Sequence, residues 1–390
     1  MIWLIVFFLS LIMLSHTYIF YPVLINFLAK KKKTNSVLFD FNAEQLPSIS
    51  IIMAAYNEEK VIAEKIKSVF NTSYPFSKIE FLIGSDNSTD NTNMIVNQLI
   101  EKFPQISLHI FPARTGKAGI INKLAEKAQN DILILTDANV IFSENTLFNL
   151  VKHFKNQYIV IVGGRIINSR FNKTGISIQE ETYISRENRI KHHEGLIWGS
   201  MAGAFGGCYA IRKSWYSPVP PRFFMDDFYI SMSVLENGGK CIMELDALCY
   251  EDVSNKLSEE FRRKVRISIG NFQNLKRYYH LLFSGNFGVG FTFFSHKVLR
   301  WFGPIFLIFL LLSNVFLVNL GDFYQLSLVV QLIFLFLPLC DYILGKFKVN
   351  INLLRFFTHF YSMNLALLIG FLKFLKGVES NIWQPTQRLQ

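Results

Sequence analysis

The segment Ile132-Leu133-Ile134-Leu135-Thr136-Asp137-Ala138-Asn139 decides the fold of this 390-residue chain. Its unbroken apolar run is typical of a strand that is buried in a parallel sheet. In open α/β sheets, ligands bind just beyond the carboxyl ends of the strands. Asp137, with a second oxygen ligand two positions further on, can there hold a hard divalent cation against a diphosphate.

Short apolar runs alternate with polar helical stretches on both sides of this segment, between Pro47 and about Ser254. Strands are predicted at residues 48–53, 79–83, 107–111 and 131–135, and helices at 58–71, 92–102 and 117–129. This β-α-β-α alternation predicts an α/β domain with a doubly wound, mostly parallel sheet.

Apolar segments flank this domain at both ends. Residues 1–28 are long enough to cross a bilayer, carry no lysine or arginine and are followed by Lys30 to Lys33. This pattern favours a retained anchor with its lysines in the cytoplasm over a cleaved signal peptide. Two further spans are predicted at 304–318 and 323–344. A fourth apolar stretch, at 351–375, either crosses the bilayer or lies in its interface, and the sequence leaves this open.

The chain has a formal net charge of +11. Its basic residues cluster beside apolar segments, and no nucleic-acid-binding module is recognisable, so membrane lipids and an anionic substrate are expected as partners rather than nucleic acid. The four cysteines show neither paired nor zinc-like spacing and are expected to be free thiols in a reducing compartment.

Polar side chains follow three of the predicted strands. They are Asn57 and Glu58, Asp86 and Asp90, and Asp137 and Asn139. Each one alone has a second explanation as a helix cap, which for Asp90 is equally good. As a set they are expected to share one cleft, because the carboxyl ends of parallel strands meet at one edge of the sheet.

These residues belong to motifs that occur in the order seen in family 2 glycosyltransferases. The motifs are Ala55-Tyr56-Asn57-Glu58-Glu59, Gly84-Ser85-Asp86, Gly116-Lys117-Ala118, Thr136-Asp137-Ala138-Asn139, Gly203-Ala204-Phe205-Gly206-Gly207, Met225-Asp226-Asp227-Phe228, Arg262-Arg263-Lys264-Val265-Arg266 and Trp383-Gln384-Pro385-Thr386. The chain resembles the membrane-bound branch of that family, which includes cellulose, poly-N-acetylglucosamine and hyaluronan synthases. The resemblance implies a GT-A fold, a nucleotide-sugar donor, a divalent metal (Mg²⁺ or Mn²⁺) and inversion at the anomeric carbon.

The resemblance also implies roles for individual residues. Tyr56, Glu58 and Asp86 would bind the nucleoside, and Lys117 would lie near the diphosphate. Asp137 would contact the donor ribose or the metal, with Asn139 as the second metal ligand. One carboxylate of the pair Asp226 and Asp227 would be the general base, and Asp227 is favoured because the family's usual pattern is an acidic residue followed by Asp.

Several further residues are candidates for binding acceptor or diphosphate. Arg263 and Arg266, with Arg262, could make bidentate contacts to phosphate or grip anionic lipid head groups. Gly206 and Gly207 could let a sugar acceptor approach the backbone closely or simply form a turn. Trp383 belongs to the last of the matching motifs.

Two departures from the family pattern bear on function. Many relatives carry an aspartate where Asn139 stands, which predicts a metal site that rests more on the donor phosphates. The segment 262–266 lacks the Gln-x-x-Arg-Trp signature of synthases that extend long polymers, which argues against processive polymerisation.

The expected organisation is an N-terminal anchor at 1–29, a GT-A domain at 47–254, an interfacial amphipathic segment at 255–296, a C-terminal membrane region at 297–378 and a tail at 379–390. The sequence thus predicts an inverting glycosyltransferase of a bacterial inner or plasma membrane, with its catalytic domain in the cytoplasm. It would act on a lipid-linked or growing glycan for a surface polysaccharide. Alternatives are a processive synthase that exports its polymer, a polyprenyl-phosphate monosaccharide transferase and a non-catalytic membrane scaffold.

Overall fold

The computed structural model describes residues 1–42, 44–168, 176–252 and 256–378. An eight-stranded sheet lies at its centre. The strands are β1 (Ile49–Ala55), β2 (Ile79–Ser85), β3 (Ile106–Ile110), β4 (Ile132–Asp137), β5 (Val140–Phe142), β6 (Ile159–Asn168), β7 (Cys208–Arg212) and β8 (Lys240–Glu251).

The strands follow the order β3-β2-β1-β4-β7-β6-β8-β5 across the sheet. β3, β2, β1 and β4 are parallel to one another, whereas β7 is antiparallel to its neighbours β4 and β6. β6 is parallel to β8, and β5 is antiparallel to β8. The predicted GT-A-like, mostly parallel sheet is therefore confirmed. Its parallel half ends in register, with Ala55 opposite Ser85 and Ala54 opposite Asp137, so the carboxyl ends of β1, β2 and β4 meet at one edge.

Helices cover both faces of the sheet and continue into the apolar termini. They are α1 (Ile2–Ser15), α2 (Tyr21–Ala29), α3 (Ile62–Phe70), α4 (Thr92–Lys102), α5 (Lys117–Lys127), α6 (Thr146–Val151), α7 (Ser177–Trp198), α8 (Asp226–Glu236), α9 (Leu257–Tyr278), α10 (Phe287–Thr292), α11 (Leu299–Trp301), α12 (Gly303–Leu317), α13 (Asp322–Lys346) and α14 (Asn352–Lys376). The apolar side chains of β1 and β4 are almost completely buried, as expected of strands covered on both faces.

The first helix of the domain begins later than the sequence predicts. A start at Glu58 is wrong, because residues 58–61 belong to a loop that is tied to the loop after β2. Asn57 adopts a left-handed backbone conformation with φ of 52°. The backbone N–H of Glu58 then donates to Thr92 Oγ1 at 2.9 Å, and that of Glu59 donates to Asp90 Oδ2 at 3.0 Å. These hydrogen bonds satisfy N–H groups that a helix start would leave without partners.

Asp90 has a structural role in the same loop. Thr92 is the first residue of α4, and its backbone N–H donates a hydrogen bond to Asp90 Oδ1 at 3.0 Å. Asp90 therefore supports the first turn of α4 from the residue before the N-cap, which is Asn91, and its carboxylate is engaged within this loop.

Four helical segments in the described residues are long and apolar enough to cross a membrane. They are Ile2–Ala29, Gly303–Leu320, Asp322–Lys346 and Asn352–Lys376. The fourth corresponds to the stretch that the sequence leaves undecided. It is one continuous helix, and it also packs along α9, where Ser268 Oγ donates to the backbone carbonyl of Leu367 at 2.8 Å.

Buried charges join helix α7 to the helical segment just before the second candidate span and to the fourth span. Glu187 lies in an ion-pair cluster with His296, Lys297 and Arg300. Glu180 forms an ion pair with His359 at 2.5 Å and lies 3.6 Å from Lys264 Nζ. The soluble domain is therefore fixed to the apolar helices by specific side-chain pairs as well as by apolar packing.

Candidate active site

A cavity of about 560 Å³ opens at the carboxyl edge of the parallel strands. Its walls come from the ends of β1 and β4, the loop before β7, the start of α8 and the facing sides of α7, α9 and α14. Seven acidic residues line it: Glu58, Asp137, Glu180, Glu187, Asp226, Asp227 and Glu251. Of the strand-end residues that were expected to share one cleft, Glu58, Asp137 and Asn139 line this cavity, whereas Asn57, Asp86 and Asp90 are not among its lining residues.

Asp86 and Tyr56 lie at the base of the loop that precedes α5. The Asp86 carboxylate is fully buried and accepts hydrogen bonds from the backbone N–H of Thr115 at 2.5 Å, that of Gly116 at 3.1 Å and Arg114 Nε at 3.0 Å. The Arg114 guanidinium carbon lies 3.3 Å from the centre of the Tyr56 ring. Asp86 therefore shapes this loop through its carboxylate, and Arg114 is a residue of this region that the sequence argument did not single out.

Lys117 is the first residue of α5 and links two carboxylates. Its Nζ lies 2.8 Å from Asp137 Oδ1 and 3.5 Å from Asp226 Oδ2. Burial alone would lower the pKa of Lys117, but the two carboxylates outweigh it and raise the pKa above its usual value. Lys117 is therefore charged, and it holds together the end of β4 and the start of α8.

Asn139 lies two residues beyond Asp137 and also lines the cavity. Its Nδ2 donates to Glu251 Oε1 at 3.2 Å, which leaves the amide oxygen as the atom available to a ligand. No cluster of three or more His, Cys, Asp or Glu side chains that could hold a metal occurs in the described ranges. One carboxylate and one amide oxygen fit a Mg²⁺ or Mn²⁺ ion that takes its remaining ligands from a diphosphate and water.

Asp226 and Asp227 begin α8, and their environments differ. Asp226 faces Lys117. Asp227 has no ion-pair partner within 4.0 Å among the described residues, and its Oδ1 accepts only the N–H of Phe228 at 2.8 Å. Burial and the neighbouring Asp226 charge together raise the pKa of Asp227 to about 6. A carboxylate with a raised pKa and no basic partner has the properties expected of a general base.

Gly206 and Gly207 both line the cavity but have different neighbours. A Cβ atom at Gly206 would lie 3.0 Å from Asp227 Oδ2, whereas one at Gly207 would lie 2.8 Å from a methyl group of Val140. Gly206 therefore keeps space beside the candidate base, while Gly207 allows the loop to pack against β5.

The three candidate arginines of α9 have different surroundings. Arg263 lies 3.8 Å from Glu251 and 3.5 Å from Glu260. Arg266 lines the cavity without a hydrogen bond or ion pair to any described residue, and burial lowers its pKa. Arg262 is exposed and pairs with Glu259. Trp383, the remaining candidate, lies outside the described residues.

Two buried lysines near the site were not predicted. Lys65 is fully buried, and its Nζ donates to Thr136 Oγ1 at 2.8 Å and to the Val140 carbonyl at 2.5 Å, so it ties together the two ends of the 137–139 turn. Burial lowers its pKa to about 7. The signal was its position between Ile62 and Ile66 on the apolar side of α3. The second lysine is Lys191 of α7, which lines the cavity and is 4% exposed.

Comparison with known proteins identifies the domain. Residues 50–218 match the family model for Glycosyl transferase family 2. A probable glycosyltransferase, YdaM, of Bacillus subtilis is 26% identical over 330 residues, which is 80% of this chain and 75% of that protein. The poly-beta-1,6-N-acetyl-D-glucosamine synthase of Staphylococcus aureus is 25% identical over 243 residues, which is 61% of this chain and 58% of that protein.

A solved structure shows the same fold over nearly the whole chain. The mannosyltransferase PcManGT from Pyrobaculum calidifontis, in complex with GDP-Man and Mn²⁺, superposes with a TM-score of 0.71. The match covers 96% of this chain and 100% of that one at 20% sequence identity. The motif order, the GT-A-like sheet and the match of residues 50–218 to the Glycosyl transferase family 2 model agree, and they identify the chain as a glycosyltransferase.

Proposed function

We propose that this enzyme transfers a sugar, with inversion, from a nucleotide-sugar donor to a lipid-linked or growing glycan acceptor in surface polysaccharide synthesis. The observation that carries the proposal is the extent of the cavity. Its walls include the carboxylates at the strand ends, and also Tyr18, Phe356, Phe360 and Met363 from two candidate membrane spans. An acceptor with a lipid chain could therefore enter from the apolar side and meet a soluble donor at the sheet edge.

The donor would occupy the sheet-edge half of the cavity. Tyr56, Glu58 and Asp86 would form the nucleoside end, the last of these by holding the loop before α5. Lys117 would contact the diphosphate, because it is the cation nearest to Asp137. Arg266 would meet the same group, since its guanidinium lines the cavity without a carboxylate partner among the described residues. Two cations at this position would stabilise the charge that gathers on the departing nucleoside diphosphate.

Asp227 would act as the general base. An acceptor hydroxyl is a weak nucleophile until a positioned group takes its proton. As the acceptor oxygen bonds to the anomeric carbon, the bond from that carbon to the diphosphate oxygen breaks, and the hydroxyl proton moves to Asp227. The space beside Gly206 would admit the attacking hydroxyl, because a side chain there would meet Asp227 Oδ2.

Asp137 and Asn139 would hold the divalent metal together with the donor phosphates. When bound, Mg²⁺ or Mn²⁺ supplies positive charge that the diphosphate needs as a leaving group. With one charged ligand from the protein, the site depends on the donor for most of the metal's coordination.

The orientation and domain plan follow the sequence prediction. The GT-A domain at 47–254 would lie in the cytoplasm of a bacterial cell, between the anchor at 1–29 and the membrane region at 297–378. The lysines at 30–33 would then be on the cytoplasmic side.

The test is release of nucleoside diphosphate from a panel of nucleotide sugars by the full-length protein in nanodiscs made from bacterial lipid extract. We expect one donor to give turnover that stops in excess EDTA and in Asp227→Asn, while the donor still binds to that variant. Full turnover in excess EDTA would remove the metal from the proposal, and full turnover of Asp227→Asn would remove the base. The length of a radiolabelled product then separates single transfer from processive synthesis.

A further inference from the structure

Lys191 is the most unusual cation of the cavity. Its side chain extends from α7 into the cavity, with Nζ 3.4 Å from the centre of the Phe205 ring. Although the residue is only 4% exposed, no hydrogen-bond acceptor or carboxylate of the described chain pairs with it. A buried ammonium without an anionic partner is costly, and the face of one aromatic ring compensates for only part of that cost.

The other basic residues of the cavity show how uncommon this is. Eight lysines and arginines line it. In the described part of the chain, six have a carboxylate or carbonyl partner: Lys117, Arg186, Arg263, Lys264, Lys297 and Arg300. Arg266 and Lys191 have none. Arg266 is proposed to bind the donor diphosphate. Lys191 is therefore the one cavity cation in the described part of the chain that has neither a protein partner nor a proposed anion.

Three carboxylates act on Lys191 through their charge, namely Glu187, Asp227 and Glu194, but none of them lies within 4.0 Å of its Nζ in the described part of the chain. Glu187, one turn earlier on α7, is already shared by His296, Lys297 and Arg300. Glu194 accepts a hydrogen bond from Tyr21 at 2.8 Å. Burial and the positive charge of Lys297 lower the pKa of Lys191 to about 7. An anion bound beside Lys191 would therefore restore its charged form and form a strong charge-assisted contact.

Lys191 also lies near the candidate base, because the charge of Asp227 acts on it. Its aromatic neighbour Phe205 is adjacent in sequence to Gly206, which faces Asp227. The same cavity is also lined by Phe356, Phe360 and Met363 of α14, a candidate membrane span. A group bound at Lys191 would therefore share one cavity with the carboxylate that would take the proton and with an apolar helix.

We infer that Lys191 binds a phosphate group carried by a lipid acceptor, with the lipid chain toward α14 and the attacking hydroxyl toward Asp227. This inference rests on the proposed function and narrows its acceptor to phosphate-bearing lipids. The phosphate is not changed in the reaction. It fixes the acceptor so that its hydroxyl oxygen can form the new bond to the sugar, while Asp227 takes the proton and the nucleoside diphosphate leaves.

The test uses two probes that differ only in the phosphate, namely farnesyl phosphate and farnesol. Their binding to the full-length protein in phosphatidylcholine nanodiscs is measured for wild type, Lys191→Met and Lys240→Met. Lys240 is the matched control, because it is an exposed lysine near the ring of Tyr158 outside the cavity. We expect wild type and Lys240→Met to prefer farnesyl phosphate by about tenfold or more, and Lys191→Met to lose that preference.

Several outcomes would overturn the inference. They are an equal affinity of the wild type for both probes, an unchanged preference in Lys191→Met, and binding of inorganic phosphate as tight as that of farnesyl phosphate. The wild-type comparison holds even if Lys191→Met does not fold, which its thermal unfolding and donor binding would reveal. Failure of the proposed function is a separate result: no nucleotide sugar would be turned over, whatever the preference between the two lipids.

Discussion

Lys117 Nζ lies 2.8 Å from Asp137 Oδ1, so a cation occupies the position where the proposed metal and diphosphate would meet. Donor binding must therefore replace this ion pair with contacts from Lys117 to phosphate and from Asp137 to the metal. The exchange is favourable only when both partners arrive together, because either one alone would leave a charge without its counterpart.

Replacing Lys117 with Met should separate the contact of Lys117 with the donor phosphate from the contact of Asp137 with the metal. We expect the KM for the donor to rise about 10- to 100-fold, since a charged hydrogen bond to phosphate is lost. Binding of Mn²⁺ without donor should become tighter, because Asp137 no longer pairs with an ammonium. Electron paramagnetic resonance titration of Mn²⁺ measures the second effect without any turnover.

The control for this pair of measurements is Lys123→Met. Lys123 is an exposed residue of the same helix, and its Nζ lies 5.2 Å from the Phe111 ring. It should change neither the donor KM nor Mn²⁺ binding. Weaker Mn²⁺ binding in Lys117→Met would contradict the competition between Lys117 and the metal for Asp137.

The two carboxylates at the start of α8 should differ sharply in their effect on rate. Asp227→Asn should lower kcat by about 100-fold or more with little change in donor KM, because it removes the base but keeps the shape of the side chain. Asp226→Asn should have the smaller effect on kcat, since Asp226 acts through Lys117. Steady-state kinetics of both variants decides the assignment, and a larger loss of kcat in Asp226→Asn would reverse it.

The pH dependence of the reaction should report the same group. The base must be ionised, and the pKa of Asp227 is raised to about 6 by burial and by Asp226. Activity should therefore be high above pH 6 and fall as the pH drops through about 6. In Asp226→Asn the acid limb should move to lower pH, because the neighbouring charge that raises the pKa is gone. A profile of kcat/KM that stays flat down to about pH 4 would contradict this role of Asp227.

The parallel half of the sheet could be predicted because its signals are local. The run Ile132 to Leu135 is apolar throughout, its counterpart in β1 is apolar except for Ser50, and the polar residues after them mark where each strand ends. Parallel pairing of β4 with β1 then brings Asp137 next to the end of β1, independently of the conformation of the loops. The positions of Asp137 and Asn139 at the cavity could therefore be predicted from local signals alone.

The acceptor side could not be predicted in the same way. Along α7, Glu180, Glu187, Lys191 and Glu194 are charged residues at helical spacing, a pattern typical of a solvated face. Several are buried because segments more than a hundred positions later in the chain supply their partners, as His296 and Lys297 do for Glu187. Lys65 is different, since a lysine on the apolar side of an amphipathic helix was visible in the sequence.

The attachment of α7 to α14 should contribute measurably to stability. Glu180 is 1% exposed; burial alone would raise its pKa, but Lys264 and His359 outweigh burial and lower it to about 2. Its contribution to stability is therefore complete above its ordinary value of 4.5 and is lost as the pH falls toward 2. Glu180→Gln should lower the free energy of unfolding by about 3 kcal/mol at neutral pH. This is the lower end of the range for a broken buried ion pair, because Lys264 keeps a second carboxylate, that of Glu260, at 3.3 Å.

Thermal unfolding in detergent, followed by circular dichroism, measures this loss. Glu259→Gln is the matched control, because it breaks an ion pair with the exposed Arg262 at the start of α9 and should cost at most about 1 kcal/mol. Equal unfolding temperatures for the two variants would mean that Glu180 does not hold the domain to α14.

Gly206 should affect the chemical step more than donor binding. A Cβ atom there would lie 3.0 Å from Asp227 Oδ2, closer than such contacts normally are, so Gly206→Ala should displace the carboxylate or fill the space for the acceptor hydroxyl. We expect kcat to fall about tenfold or more while the donor KM stays within about twofold, because misplacing a reacting group mainly costs orientation. Gly285→Ala is the control, since a Cβ atom at Gly285 meets nothing within 4 Å. Steady-state kinetics of the two variants, measured side by side, tests this prediction. If Gly206→Ala keeps the wild-type kcat, as Gly285→Ala should, the acceptor does not need the space beside Asp227.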